Sequence, residues 1–83
     1  CNTQMAQVAP GKHVMITEPF NFFMNDNKDG NLTYGWRPVN GSTPPSGAPV
    51  GGPCIKFSTG WYYVITGGHV VYITRSRDLK TWA

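Results

Sequence analysis

The sequence predicts an all-β fold made of two consecutive antiparallel four-stranded blades of a β-propeller, the second incomplete. Three observations lead there. Residues 11–29 align without a gap with residues 60–78 at a constant offset of 49, placing Gly11 on Gly60, Ile16 on Ile65, Thr17 on Thr66 and Asp29 on Asp78. The unmatched pairs mostly keep their polarity: Phe23 meets Tyr72, Met24 meets Ile73 and Lys28 meets Arg77. Both copies then run Asp, Leu, Trp, as Asp29, Leu32, Trp36 and as Asp78, Leu79, Trp82. Second, helix formers are scarce, while 10 Gly, 7 Pro and 13% aromatic residues in an 83-residue chain are the composition of short strands and tight turns. Third, a strand-rich unit of this length cannot bury both of its faces alone, so repetition implies stacking.

The elements follow in order. Residues 4–8 form a weak strand that Ala9-Pro10-Gly11 turns. Residues 14–17 are a short apolar run, stopped at Glu18-Pro19 because proline cannot donate to a ladder. Residues 20–24 form the next strand, and residues 25–30 carry turn chemistry, with Asp29-Gly30 suited to positive φ. Residues 32–36 begin a fourth strand and close the first unit, residues 1–36. Pro38, Pro44, Pro45 and Pro49 then alternate with Gly and Ser, which marks residues 37–49 as an exposed connection. The second unit, residues 50–83, is cleaner. Residues 53–57 are a strand, Ser58-Thr59-Gly60 a turn, and residues 61–66 a strongly β-prone strand. Gly67-Gly68 is a two-residue hairpin signal, residues 69–74 another strand, and residues 76–82 the closing segment.

Charge excludes some partners. Seven Lys and Arg against four Asp and Glu give a net charge of +3, and only Arg75 and Arg77 lie close together, too diffuse a pattern for a nucleic-acid footprint. No apolar run approaches a membrane span and no signal peptide is present. The chain opens at Cys1 without an initiator Met and stops at Ala83 after a Trp that in the first copy is followed by more chain, so it reads as a fragment. Cys1 and Cys54 have no second Cys or His at zinc-site spacing. A disulfide between them stays open, with separate thiols the expected state. Cys1 is also open to reading as the lipid-bearing residue of a processed lipoprotein. Asn31-Leu32-Thr33 and Asn40-Gly41-Ser42 fit the glycosylation acceptor pattern, and an extracellular or secreted location is expected.

The run Gly52-Pro53-Cys54-Ile55-Lys56-Phe57-Ser58-Thr59-Gly60-Trp61-Tyr62-Tyr63-Val64-Ile65-Thr66, followed by Ser76-Arg77-Asp78-Leu79-Lys80-Thr81-Trp82, resembles a blade of the five-bladed β-propeller glycosidases. That group includes arabinanases, xylosidases and invertase-like enzymes. The resemblance covers residues 50–83 directly and residues 11–36 through the internal repeat. It implies a glycan substrate bound or hydrolysed at the propeller axis, no cofactor, and the remaining blades as the partners of these two. Family catalysis uses two carboxylates from different blades, whose separation sets inversion or retention. The sequence departs from the pattern where such blades carry an acid before Pro: Gly51 and Gly52 stand there, and the first copy offers Asn2 and Thr3. The main catalytic acids are therefore expected outside this chain. A non-catalytic carbohydrate-binding or protein-interaction propeller is the alternative.

Asp29 and Asp78 recur at one repeat position, and an Asp there accepts backbone N–H groups of its own turn while the following Trp packs between units. A catalytic acid has no reason to recur in every unit, so both are read as structural. The closing segment also resembles the Asp-box of sialidase-type propellers, without that motif's Gly and one residue shorter. Glu18, the chain's single Glu, has no repeat partner, since Gly67 occupies the matching place. It is the candidate catalytic acid, weighed against a solvated turn residue. His69 and Trp61 are candidate substrate contacts, a hydrogen-bonding partner for sugar hydroxyls and a stacking platform, while Tyr62 and Tyr63 include core residues by strand alternation. Asn25, Asn27, Asp29, Gly30 and Leu32 match the first half of a calcium loop, but Trp36 sits where the closing Glu belongs, so no metal site is assigned.

Overall fold

The computed structural model describes residues 4–18, 20–45, 52–67 and 71–83. The described residues are all-β, with no helix: a four-stranded sheet of β1 (Met5–Ala9), β2 (Lys12–Thr17), β3 (Asn21–Asn25) and β4 (Arg37–Val39), and a three-stranded sheet of β5 (Cys54–Ser58), β6 (Trp61–Gly67) and β7 (Val71–Ser76). Both run in sequence order with antiparallel neighbours. The offset of 49 read from the sequence is carried by the strands themselves, since Met5–Ala9 maps onto Cys54–Ser58 and the first residue of β2 onto the first of β6.

The turn opening each sheet explains both a likeness and a difference. Gly11 and Gly60 occupy one repeat position, and both hold positive φ, 72° and 83°, which glycine adopts without steric cost. Before Gly60 stands Thr59, also at positive φ (51°), giving the twist-matched hairpin turn in which both central residues are left-handed. Before Gly11 stands Pro10, whose ring fixes a negative φ, so that turn combines one negative and one positive residue. Such a turn does not match the strand twist. The first ladder slips between Gln7 and Ala9, while the second pairs evenly from Ser58↔Trp61 to Cys54↔Ile65.

Strand alternation builds the core. On sheet 1, Val14, Ile16 and Phe22 point the same way and are buried, with Ala6, Met24 and Val39 beside them on that face. On sheet 2, Ile55, Tyr62 and Val64 share a face, and both sets belong to one apolar cluster that also takes in Phe20 and Leu79. Trp82, at the end of sheet 2, reaches sheet 1, with its ring 5.1 Å from those of both Phe20 and Phe22. Aromatic pairs at these separations add to the burial they bring.

Several expectations are corrected. The fourth strand of sheet 1 is Arg37–Val39, not residues 32–36, so part of the proline-rich stretch is strand. Pro38 is tolerated because, among the described residues, β4 pairs with β3 alone and stands at the edge of its sheet. Residues 26–36 are instead committed to side-chain-capped turns: Asn27 N–H donates to Asn25 Oδ1, Asn31 N–H to Asp29 Oδ1 and Thr33 N–H to Asn31 Oδ1. β6 ends at Gly67 and β7 is described from Val71, so Gly68 of the expected Gly67-Gly68 turn and the start of the strand expected over residues 69–74 lie outside the described residues. Cys54 is buried and disulfide-bonded, contrary to the expected free thiol. Cys1, the other cysteine of the sequence, lies outside the described residues. Among the described residues no helix is long and apolar enough to cross a membrane.

Candidate functional site

The structure distributes the candidate residues over two ends of the molecule. Glu18 follows β2 and is exposed. Its carboxylate Oε1 accepts the Gly52 backbone N–H at 3.0 Å, tying the β2–β3 hairpin of sheet 1 to the segment that enters sheet 2. Cys54, two residues further, pairs with Ile65 near the C-terminal end of β6. Trp61 opens β6 at its other end, paired with Ser58. At about 3.3 Å per residue, a strand of this length sets its ends roughly 20 Å apart. Trp61 and the Glu18 end are therefore not brought together. His69 lies outside the described residues.

Around Trp61 the structure adds residues that sequence reading did not connect. The guanidinium carbons of Arg75 and Arg77 lie over the Trp61 ring, 4.2 and 4.3 Å from its centroid. Such contacts are favourable because the ring face is electron-rich. Strand pairing explains half of this: Tyr63 pairs with Arg75, and Tyr62 with Ser76, so β7 ends beside the start of β6. These groups, with Asp78 and Thr81, border a shallow concavity of about 250 Å³. The one ion pair among the described residues joins Arg37 to Asp26 at 2.8 Å, which leaves Arg75 and Arg77 held by the indole without an acidic partner. With both guanidinium groups over its ring, the indole has its edge to pack against an apolar surface, and the two cations can donate to oxygens. This group carries no nucleophile.

Both repeated aspartates are occupied by their own turns. Asp78 Oδ1 accepts the N–H groups of Lys80 and Thr81, each at 2.9 Å, and the Ser76 hydroxyl at 2.9 Å. The Thr81 N–H, then the Lys80 N–H, then the Ser76 hydroxyl draw its pKa from 3.8 down to about 2. Asp29 repeats the motif at the same position. Its Oδ1 accepts Asn31 N–H and its Oδ2 the Tyr34 hydroxyl, at 2.9 and 2.7 Å; these two bonds, the backbone one first, lower its pKa, and the bond to Asp29 raises that of Tyr34. A second bond recurs at the same offset: Asn25 Nδ2–H donates to Tyr34 O, and Thr74 Oγ–H to Ala83 O, both at 2.8 Å. Each closing Trp is tied to the carbonyl of its Leu, Trp36 to Leu32 at 2.8 Å and Trp82 to Leu79 at 3.3 Å.

The second unit holds its loop more tightly. Ser76, 1% exposed, accepts both the Asp78 and Leu79 N–H groups. Leu79 keeps a left-handed φ of 66° with its side chain buried in the core, so apolar burial offsets the backbone strain. In the first unit Gly30 stands at the position of Leu79, with a φ of 76°, and Gly35 supplies a further left-handed residue with no positive-φ counterpart in the second unit. The φ of Gly35 is 83°, and a Cβ there would lie 2.7 Å from Asn27 Oδ1. Nothing in the sequence period pointed to Gly35, because the Asn27 side chain that crowds it folds back across the loop to Asn31 O and Tyr34 O.

Between the first strands of the two sheets runs an open cleft of about 460 Å³, bordered by Met5, Ala6 and Gln7 of β1 and by residues 54–57 of β5. Lys56 is its single ionisable side chain, and no carboxylate lines it. The described residues hold no cluster of three or more His, Cys, Asp or Glu. No protein-family model, no curated protein and no solved structure matches the chain.

Proposed function

We propose that the chain is a two-unit stretch of a carbohydrate-active β-propeller, a glycoside hydrolase whose principal catalytic acids lie on other units. The observation that carries this reading is the repetition, at one fixed offset, of strand, turn and Asp-capped loop, with the second sheet laid on the first. Repeats that stack this way extend by adding further sheets. The Gly-aromatic-aromatic strand and the Ser-Arg-Asp-Leu-Lys-Thr-Trp loop are the residues shared with the glycosidase blades. In this reading Trp61 offers its ring edge to a sugar, with Arg75 and Arg77 donating to its oxygens, and Glu18 faces substrate at the opposite end of the sheets, with His69 as a further candidate contact from the sequence.

One observation favours a second reading, glycan binding without hydrolysis. Glycoside cleavage needs two carboxylates about 5 to 10 Å apart and free to act on the bond. All four acids of this chain are engaged: Glu18 by Gly52, Asp26 by Arg37, and Asp29 and Asp78 by their own loops. The two readings separate on one set of measurements. Retention of the chain on immobilised arabinan, xylan or fructan, weakened by Trp61→Ala, is expected under both. Release of reducing sugar that Glu18→Gln abolishes selects hydrolysis, and binding with no release selects the second reading. Absence of retention on every polysaccharide overturns the carbohydrate assignment for this chain.

A further inference from the structure

Residues that recur at the fixed offset are those each unit needs in order to fold. Trp61 and Arg75 do not recur: 49 positions earlier stand Lys12 and Asp26, and Arg77 keeps only its charge, as Lys28. Asp26, which stands for Arg75 in the first unit, is ion-paired to Arg37 at 2.8 Å. Arg75 and Arg77 have no carboxylate partner among the described residues, although Asp78 borders the same concavity of about 250 Å³. The Asp78 carboxylate is drawn into its own loop by the N–H groups of Lys80 and Thr81 and by the Ser76 hydroxyl.

Positive charge is therefore concentrated at this end of sheet 2. The two guanidinium carbons lie 4.2 and 4.3 Å from one ring centroid, so the like charges stand within about twice that distance of each other. Arg does not lose its proton in a protein, and their repulsion persists until an anion enters between them. Strand pairing extends the charged surface. Lys56 pairs with Tyr63, and Tyr63 with Arg75, so these three form a row on the face that carries Trp61. Both cations of the row are exposed, and the strand residues of that face include no acid. The indole supplies one more donor: Trp36 and Trp82 direct their Nε1–H at Leu carbonyls, whereas Trp61 Nε1–H has no acceptor among the described residues.

We propose, on the glycan reading above, that this concavity binds the anionic group of an acidic sugar, a carboxylate or a sulfate ester, while the indole edge packs against the ring that bears it. A guanidinium presents two parallel N–H donors in one plane, which match two oxygens of such a group. A neutral hydroxyl takes a single bond and leaves the paired charges uncompensated. Asp78 opposes an anion at the border, and the two arginines outweigh it.

Binding of the 83-residue chain to oligogalacturonate and to its methyl ester, compared by calorimetry at low salt, isolates the charge on one sugar ring. The acid is expected to bind roughly tenfold more tightly than the ester. Arg75→Gln and Arg77→Gln should each remove most of that preference with circular dichroism unchanged, because both side chains are exposed. Lys28→Gln removes the same charge at the counterpart of Arg77 and should leave the preference intact. A sulfated galactan of equal length distinguishes the two anions, the tighter binder identifying the group. Equal affinity for acid and ester with no gain from sulfate overturns the proposal and leaves the glycan reading standing, whereas absence of binding to these and to neutral polysaccharides overturns both. Polyglutamate bound as tightly as oligogalacturonate, or a loss in Lys28→Gln as large as in Arg77→Gln, also overturns it, by showing charge attraction without recognition of a sugar.

Discussion

Phe22 and Val71 occupy one position in two copies of the same strand, yet the first is 1% and the second 66% exposed. Their strands share antiparallel pairing with the strand before them and the alternation of side chains, although β3 also pairs with β4 while β7 is the last described strand of its sheet. The difference lies in what faces them: Phe22 meets Trp82 and the second sheet, while Val71 meets solvent. Apolar residue type at a strand position thus reports the capacity to be buried, and the neighbouring sheet decides whether burial happens. The largest expected effect comes from exploiting that contrast. Phe22→Ala removes a buried ring and leaves a cavity, at a cost of about 3 to 5 kcal/mol. Val71→Ala, measured by urea denaturation at concentrations where the chain is monomeric, stays within about 0.5 kcal/mol of wild type. Equal losses at the two positions would show that the sheets do not stack as described.

The loops offer a finer contrast. Gly35 and Gly30 both have positive φ, 83° and 76°, but a Cβ at Gly35 runs into Asn27 whereas one at Gly30 meets open space. Ala at either position carries the cost of a left-handed residue, roughly 1 kcal/mol. Gly35→Ala also displaces an amide that makes two hydrogen bonds, and is expected to cost about 2 to 3 kcal/mol. Adding Asn27→Ala to Gly35→Ala tests the cause: with the crowding side chain gone, the double variant loses less than the two single losses combined.

The parts of this fold that were legible in the sequence are those governed by local chemistry that repeats. The offset of 49, the paired glycines of the first turns and the paired aspartates of the closing loops all appear in the strands and hydrogen bonds. What was not legible depends on contacts distant in sequence. β4 hides behind Pro38 because only its position at a sheet edge makes proline acceptable there. Cys54 gives no sign of its bond, since a lone thiol spacing does not fix connectivity. The same holds for candidate function. Glu18 stood out as a non-repeated acid, and its bond to Gly52, 34 residues away, could not be read from spacing. Trp61 stood out as an aromatic, but Arg75 reaches it through the register of β6 on β7 and Arg77 from the loop that follows β7.

The third contrast is between two networks around the repeated aspartates. Ser76 is buried and holds two backbone N–H groups, whereas Asn27, its counterpart 49 positions earlier, is half-buried and reaches across its loop instead. Ser76→Ala leaves the buried Leu79 N–H without its acceptor, for a loss of about 1 to 3 kcal/mol. The midpoint of thermal unfolding is the measurement, and an unchanged midpoint would mean that Leu79 is held by its apolar burial alone.

The smallest effect is a pH dependence, and its sign follows from the same loop. Asp78 has a folded pKa of about 2 against 3.8 for a free side chain, so the folded state favours the ionised form. Its contribution is therefore fully present above 3.8 and is lost as pH falls through about 2. Asp29 is shifted in the same direction, first by Asn31 N–H and then by the Tyr34 hydroxyl, so both loops weaken in acid. Both carboxylates are exposed, and solvent keeps the effect modest. Denaturation midpoints taken across that acid window should decline in the wild type and decline less in Asp78→Asn, because an amide cannot be protonated there. A wild type and an Asp78→Asn variant with parallel acid profiles would assign the acid sensitivity to other groups and leave the repeated aspartate as a hydrogen-bond acceptor whose charge is immaterial.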